Sequence, residues 1–364
     1  MKQTLAALAV LGACMPDASA QSAVTLYGII DAGVTRVIND SGNGNNGTRT
    51  TVEAGQMQVS RWGLRGEEDL GGGLKARFNL EGTLLNDTGA AGVPTGTPSG
   101  TSLFDRDATV GLSGNFGALT LGRQNILGIN SVGMADPMGL AFAATSPNVL
   151  FSAMNSTAAY GAYGANNGGS ALRQSNSIKY VSPYFRNFGF ALMRAFGEQP
   201  GSVQKNKYEG VSAFYHTGPF GASAVYARMK NITASEELKS YAFGARYTGT
   251  GFSLRSTYSA NEVDTTRRKI SVFGVGVDVP VAQAVTLTGA VYNTRHTGDA
   301  RDDSQQYIAI AKYAFSKRTS GYFSIGHART DGVVTATQIN LAQGFVSVGS
   351  DSASRITTGV IHFF

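Results

Sequence analysis

The residue types that usually carry catalysis are sparse here and badly spaced for it. Four histidines, His216, His296, His327 and His362, are scattered and match no metal-ligand spacing. Neither G-x-S-x-G nor H-E-x-x-H occurs. GNGNNG at 42–47 fits G-x-G-x-x-G, but it opens no helical pattern and no acidic residue follows at the distance a βαβ unit needs, so it reads as a loop. What does have a pattern is fixed charge. In SRWGLRGEEDLGGGLKARFNLEG, residues 60–82, Arg61 and Arg65 alternate with Trp62 and Leu64. Lys75, Arg77, Asn79 and Glu81 alternate with Leu74, Ala76, Phe78 and Leu80. Side chains of a strand alternate between two faces, so one face is apolar and the other charged. Arginine keeps its proton at any practical pH, and a wet face lined with it steers ions rather than transforming them.

Such a face needs strands to hold it. Gly71, Gly72 and Gly73 break the two runs, which predicts a hairpin. Alternating runs recur at about 23–34, 52–66, 74–86, 106–114, 117–124, 173–182, 187–197 and 208–217. They continue at about 221–229, 239–248, 251–260, 268–278, 285–294, 304–314, 319–329 and 353–364. That makes about sixteen, an even number that suits a closed barrel. The connections alternate between short and long, as an up-and-down barrel with turns on one rim and loops on the other requires. The longest, 125–172, demands a task of its own, because a structureless loop of that length is rare in a compact domain.

Composition agrees. Of 364 residues 47 are glycine and 42% hydrophobic, which suits many strands and turns. The net charge of +6 decides little alone, and the basic residues are dispersed over strands rather than clustered with aromatics, which argues against nucleic acid as a partner. MKQTLAALAVLGACMPDASA, residues 1–20, has the apolar run and the Ala-Ser-Ala ending of a secretory signal peptide. The lone cysteine, Cys14, lies within it, where LGAC also matches a lipoprotein processing box; the Ala-Ser-Ala site is the simpler reading. No segment has the ~20 apolar residues of a membrane-crossing helix. The reading is therefore all-β: a transmembrane antiparallel barrel, 21–364, with apolar residues toward lipid, polar residues toward a water-filled lumen and aromatics at the interfaces.

VTLYGIIDAG at 24–33, SRWGLRGEEDLG at 60–71, RDATVGL at 106–112, GALTLGRQ at 117–124 and a final Phe364 occur in that order. With them the chain resembles the general diffusion porins of Gram-negative outer membranes, most closely the β-proteobacterial branch. The resemblance implies that 125–172 folds into the barrel as a constriction loop facing a wall of arginines, which map to Arg61, Arg106 and Arg173. Arg106 shares its register with Ala108, Val110 and Leu112, so an inward Arg106 needs a bulge or an irregular strand start. Arg65, Lys75, Arg77 and Glu81 are secondary lumen charges, and Arg123 is open between a wall and an intersubunit role. The loop's one charged residue is Asp136, in ADPMG with Pro137 and Gly139, so several arginines facing one aspartate should favour anions.

The resemblance further implies a homotrimer, contact with outer-membrane lipid and lipopolysaccharide, and recognition of Phe364 as a signal by the barrel-insertion machinery. The expected function is passive diffusion of small hydrophilic solutes and anions across the outer membrane, with no cofactor, no metal and no enzymatic step. A non-conducting barrel acting as adhesin or as rim hydrolase is the alternative.

Overall fold

The computed structural model describes residues 23–40, 47–91, 102–142, 145–164, 171–297 and 302–364. Segment 1–20, expected as a signal peptide, and most of the glycine-rich 42–47 stretch lie outside them. In chain order the strands are β1 (Ala23–Asp40), β2 (Gly47–Ala54), β3 (Arg61–Gly71), β4 (Leu74–Leu85), β5 (Ala90–Ala91), β6 (Asp107–Gly114), β7 (Gly117–Asn125), β8 (Arg173–Val181) and β9 (Phe188–Ala195). They continue with β10 (Tyr208–Thr217), β11 (Phe220–Lys230), β12 (Glu237–Gly249), β13 (Phe252–Val263), β14 (Lys269–Ala282), β15 (Val285–Thr297), β16 (Ser304–Ala314), β17 (Thr319–Thr330) and β18 (Ser352–Phe363).

Each barrel strand pairs antiparallel with its sequence neighbour, and β1 pairs with β18 from Ile29↔Phe363 to Ile38↔Ser354, so the sheet closes. Closure leaves no strand edge open to lipid, where an unpaired amide has no water to turn to. The staves number sixteen: β2 and β3 lie end to end along β1 as one interrupted stave, and β5 is a two-residue pairing on the end of β4. Seven connections share one rim with the chain termini, five of them two residues long. The β3–β4 turn uses positive φ at Gly71, Gly72 and Gly73, a conformation side chains resist. The other rim carries the long connections, among them 86–106, 126–172 and 331–351.

The outer face is apolar. In β1, Val24, Leu26, Ile30 and Val34 are exposed while Ile29, Asp31, Thr35 and Val37, in the opposite register, are buried. Aromatics gather at the short-turn rim, where Tyr215 meets Phe220, Tyr247 meets Phe252 and Tyr313 meets Phe315. Such a girdle suits the membrane interface, wet at one end of the ring and apolar at the other.

The core is inside the barrel, between the long loop and the wall it lines. Ile126, Leu127, Val132, Phe151, Ala153, Met154 and Tyr160 of the loop pack with Tyr208, Met229, Leu238, Ile270 and Tyr292 of the wall. Burial of such side chains contributes about 1.5–3 kcal/mol each, which adds to the loop's own helical turns and turn hydrogen bonds in holding it against the wall. A smaller cluster, Ala328, Val334, Ala342, Phe345, Val346 and Ala353, packs loop 331–351 against β17 and β18. Nothing in the alternation of the sequence anticipates this second folded loop.

Candidate functional site: an arginine wall facing a lining loop

The path of the loop sets the geometry. Helix Leu127–Gly133 lies against β9, β10, β11 and β12, and the Leu127 amide donates to the Tyr208 hydroxyl at 3.1 Å. The Ser223 hydroxyl then donates to the Ser131 carbonyl (2.8 Å). The chain runs onward over Gly244 and Gly276, which carry no side chain to obstruct it. A Cβ on Gly244 would come within 2.9 Å of the Ala135 Cβ, and one on Gly276 within 2.8 Å of the Pro137 Cβ. At its far reach the Phe142 amide donates to the Gln56 carbonyl (2.8 Å). On the return Asn148 donates to the Thr257 hydroxyl (2.9 Å), and the Asn261 side-chain amide donates to the carbonyl of Phe151. The lining therefore covers the β9–β15 side, and β3, β4 and β6–β8 remain as the facing wall.

Three of the sequence-derived arginines meet on that wall around Glu81, a fourth residue the sequence named. Arg106 Nε donates to Glu81 Oε1 at 2.6 Å, and Arg61 Nε lies 3.5 Å from Glu81 Oε2. Arg61 and Arg106 are electrostatic neighbours, and buried Arg173 lies within reach of Arg106, Arg123, Asp105 and Glu81. Arg106 escapes the outward register because it precedes β6: it sits on a bend whose amide donates to the Glu81 carbonyl (3.1 Å). Arg123 joins the group, with Nε donating to the Asp105 carbonyl (2.6 Å) and a terminal nitrogen to Ser175 Oγ (3.0 Å).

The groups that brace these arginines are not legible in the sequence pattern. The run 52–66, expected as one strand, is interrupted at 55–60, and buried Asp31 holds the interruption. Its carboxylate accepts from the amides of Met57 (2.5 Å) and Gln58 (2.7 Å) and from the Tyr322 hydroxyl (2.7 Å). Gln58 Oε1 and the Val59 carbonyl in turn accept from Arg61 (3.3 and 3.4 Å), so the interruption aims the guanidinium. Tyr27 donates to Glu81 (3.0 Å) and Asn79 (2.8 Å), while Asp105 grips the amide and hydroxyl of Thr83 (2.7 and 2.8 Å). The available signal was a carboxylate, Asp31, in the inward register of an otherwise apolar strand.

The remaining lumen charges divide. Arg65 stacks over the Tyr27 ring, 4.9 Å from its centre. Lys75 and Arg77 are both held by Glu67, at 2.5 and 2.6 Å, near the short-turn rim and away from the arginine cluster. A cavity of about 860 Å³ opens beside Tyr27, Arg65, Arg77, Asn79, Glu81 and Thr120. Under the loop, Arg246 and Arg255 face each other in register, and Arg255 pairs with Asp278 at 2.8 Å.

Asp136 differs from the expectation that it opposes the arginines. Its carboxylate is fully buried and accepts from the amides of Met138 (3.0 Å) and Leu140 (2.7 Å), from Asn148 (2.5 Å) and from the Tyr292 hydroxyl (3.1 Å). All its partners belong to the loop or to β13–β15, so it ties the ADPMG turn, with Pro137 and Gly139, to the wall it lines. Burial lifts its carboxyl above the ordinary aspartate range, and the hydrogen bonds from Leu140, Asn148, Tyr292 and Met138 reverse only part of the rise.

Phe364 completes the barrel seam, its amide and carbonyl each hydrogen-bonded to Gly28 at 3.1 Å. The family model of the Gram-negative porin matches residues 4–333. The chain belongs to the Gram-negative porin family. Outer membrane porin protein 32 of Delftia acidovorans is 34% identical across 99% of this chain and 98% of its own length. Major outer membrane protein P.IB of Neisseria meningitidis serogroup B is 27% identical across 90% and 93%. Among solved structures, the anion-selective porin from Comamonas acidovorans superimposes with a TM-score of 0.77 at 26% identity, over 94% of this chain and all of that one. This porin is accordingly a barrel of the Gram-negative outer membrane.

Proposed function

We propose that this porin is a passive, anion-leaning channel for small hydrophilic solutes, with Arg61, Arg106 and Arg173 as the constriction wall. The observation that carries the reading is the gathering of Arg61, Arg106, Arg123 and Arg173 around two carboxylates, Glu81 and Asp105, on the wall the loop leaves uncovered. The wall holds more positive than negative charge, and ions passing within a Debye length of about 8 Å feel the difference. The similar barrel from Comamonas acidovorans is an anion-selective porin, which supports the same sign of preference here. No bond is made or broken in this mechanism: the guanidinium groups lower the energy of an anion in transit and raise that of a cation.

Homotrimeric assembly, export through a cleaved 1–20 segment, and recognition of Phe364 by the insertion machinery are parts of the same proposal. So is the absence of an enzymatic role, for which membership of a channel family is the support. The test is a planar bilayer under a KCl gradient. Replacing Arg61 and Arg173 with Ser should move the reversal potential toward cations, whereas replacing the exposed Arg267 and Arg186 should do much less. Equal shifts from both pairs would show the wall assignment to be wrong. Failure of liposomes to swell with even the smallest sugars would favour a non-conducting barrel.

A further inference from the structure

The loop-covered bank of the lumen does not present the acid of its ADPMG turn; just beneath that turn it presents arginine. The loop crosses the wall at Gly244, Thr257 and Gly276, and the next inward positions toward the short-turn rim are Arg246, Arg255 and Asp278. Beyond the loop, the inward registers of β12–β16 hold three cations, Arg246, Arg255 and Lys312, against one carboxylate, Asp278, among the described residues. Arg246 and Arg255 stand directly opposite each other on β12 and β13. Like charges so placed repel, and the Cα atoms of paired antiparallel strands lie only about 5 Å apart, so the pair needs a reason.

Each of the two side chains is held in its own way. Arg255 pairs with Asp278 at 2.8 Å and donates to the Asp136 carbonyl (3.4 Å), which brings its guanidinium to the lower edge of the ADPMG turn. It remains 31% exposed, so donors are left for a solute in the lumen. Asp278 also accepts from the Thr288 hydroxyl (2.7 Å). Arg246 lies along Gly221, its register partner on β11, where a Cβ would come within 3.1 Å of its Nε. It is half-buried and forms no ion pair among the described residues. On the facing wall, Arg65 and Arg77 border the cavity of about 860 Å³ beside Tyr27. Both banks below the constriction therefore present arginine to the water between them.

We infer that Arg246 and Arg255 form a second anion station on the short-turn side of the constriction, one that favours a dianionic oxyanion such as sulfate or hydrogen phosphate over a monoanion. A planar guanidinium fork meets oxyanion oxygens in pairs, and two forks on adjacent strands suit a tetrahedral group. Asp278 neutralises one charge of the pair and leaves the other to the lumen. A monoanion meets the same field as a dianion and gains half the energy from it. The short turns of an outer-membrane barrel face the periplasm, so the station lies at the exit for inward traffic. The inference rests on the channel reading above and gives the loop-covered bank a task separate from that of the arginine wall.

The test uses the whole barrel, inserted into a planar bilayer from one side and carrying chloride current, with sulfate or methanesulfonate added to either chamber as blocker. Sulfate should block wild type at lower concentration from the short-turn side, and methanesulfonate, of the same shape with one charge fewer, should block more weakly. R246Q is the primary variant because Arg246 holds no part of the loop. It should raise the half-blocking concentration from that side about eightfold for sulfate and about threefold for methanesulfonate, the effect of one unit charge about 4 Å away at physiological salt. D278N leaves Arg255 unneutralised and should tighten the sulfate block, which the loss of a merely structural ion pair would not do. R186Q combined with K317Q, exposed at the same rim, should change neither value. Arg61→Ser with Arg173→Ser should shift the KCl reversal potential and keep the short-turn-side block. Loss of the block in that wall variant with retention in R246Q would put the sulfate on the wall and overturn the station. So would no sulfate block in wild type, equal shifts for the two probes in R246Q, or a block that D278N leaves unchanged or weakens. A cation-preferring wild type would refute the channel reading itself, whereas an anion-preferring one whose block ignores R246Q would refute the station alone.

Discussion

Glu81 is the residue whose removal most directly tests the arginine wall. It is the carboxylate shared by Arg61 and Arg106, at 3.5 and 2.6 Å, and lies mostly covered beside the lumen. Glu81→Gln keeps the shape and an acceptor for Tyr27 while adding one net positive charge to the wall. A unit charge about 6 Å from a passing ion changes its energy by about 0.7 kcal/mol in a water-like dielectric. Screening at physiological salt, with a Debye length of about 8 Å, leaves roughly half of that. The anion gains this energy and the cation loses it, so the anion-to-cation permeability ratio should rise about threefold, and about sevenfold at 10 mM salt, where the Debye length is about 30 Å. Reversal potentials under a KCl gradient at two ionic strengths measure both figures. Glu81→Asp, which retains the charge, should stay near wild type. An unchanged ratio in Glu81→Gln, or a shift toward cations, would mean that ions do not pass beside Arg61 and Arg106, and the constriction reasoning would fail.

Three further outcomes follow from the loop and the seam. Asp136→Asn should cost about 1–3 kcal/mol of loop anchoring, since an NH2 replaces one of the two oxygens that accept from Met138, Leu140, Asn148 and Tyr292 and leaves buried donors unpaired, visible as noisier single-channel current and faster proteolysis within 126–172; a quiet, resistant variant would contradict the anchoring role. Because burial raises the Asp136 carboxyl in the folded state, its stabilising contribution is greatest in acid and is lost as pH climbs from the ordinary aspartate value through the raised one. Melting of wild type in detergent should therefore decline across that window, and Asp136→Asn should flatten the decline. Gly276→Leu should displace the ADPMG turn, because the new side chain would occupy the place of Pro137; sugar cutoff in liposome swelling should rise, and an unchanged cutoff would separate the loop from the constriction. Deleting Phe364 removes two hydrogen bonds across the seam to Gly28 and should lower the yield of heat-modifiable, folded barrel in the outer membrane; normal yield would remove Phe364 from the assembly proposal.

The sequence by itself determined the barrel. Period-two alternation is a local property, and a chain that places Leu74, Ala76, Phe78 and Leu80 on one face and Lys75, Arg77, Asn79 and Glu81 on the other has few architectures open to it. Long and short connections then fixed the two rims, and the ordered motifs pointed to Arg61, Arg106 and Arg173 before any geometry was known. Tertiary structure alone decided how the charges are used. Asp136, the only charge in its loop, reads from sequence as the acid facing the arginines, yet it is buried against Tyr292 because β15 is about 150 residues away and alternation is blind to partners at that range. Lys75 and Arg77 carry the right charge in the right register, but Glu67, across the hairpin, takes both. Arg106 faces inward through an irregular strand start, and Arg61 is aimed by an interruption that Asp31 holds; both break the period from which strands are read in sequence. The arginine cluster joins residues from three separate strands and the bend before β6, and their closeness follows from barrel closure and register, which no local pattern encodes.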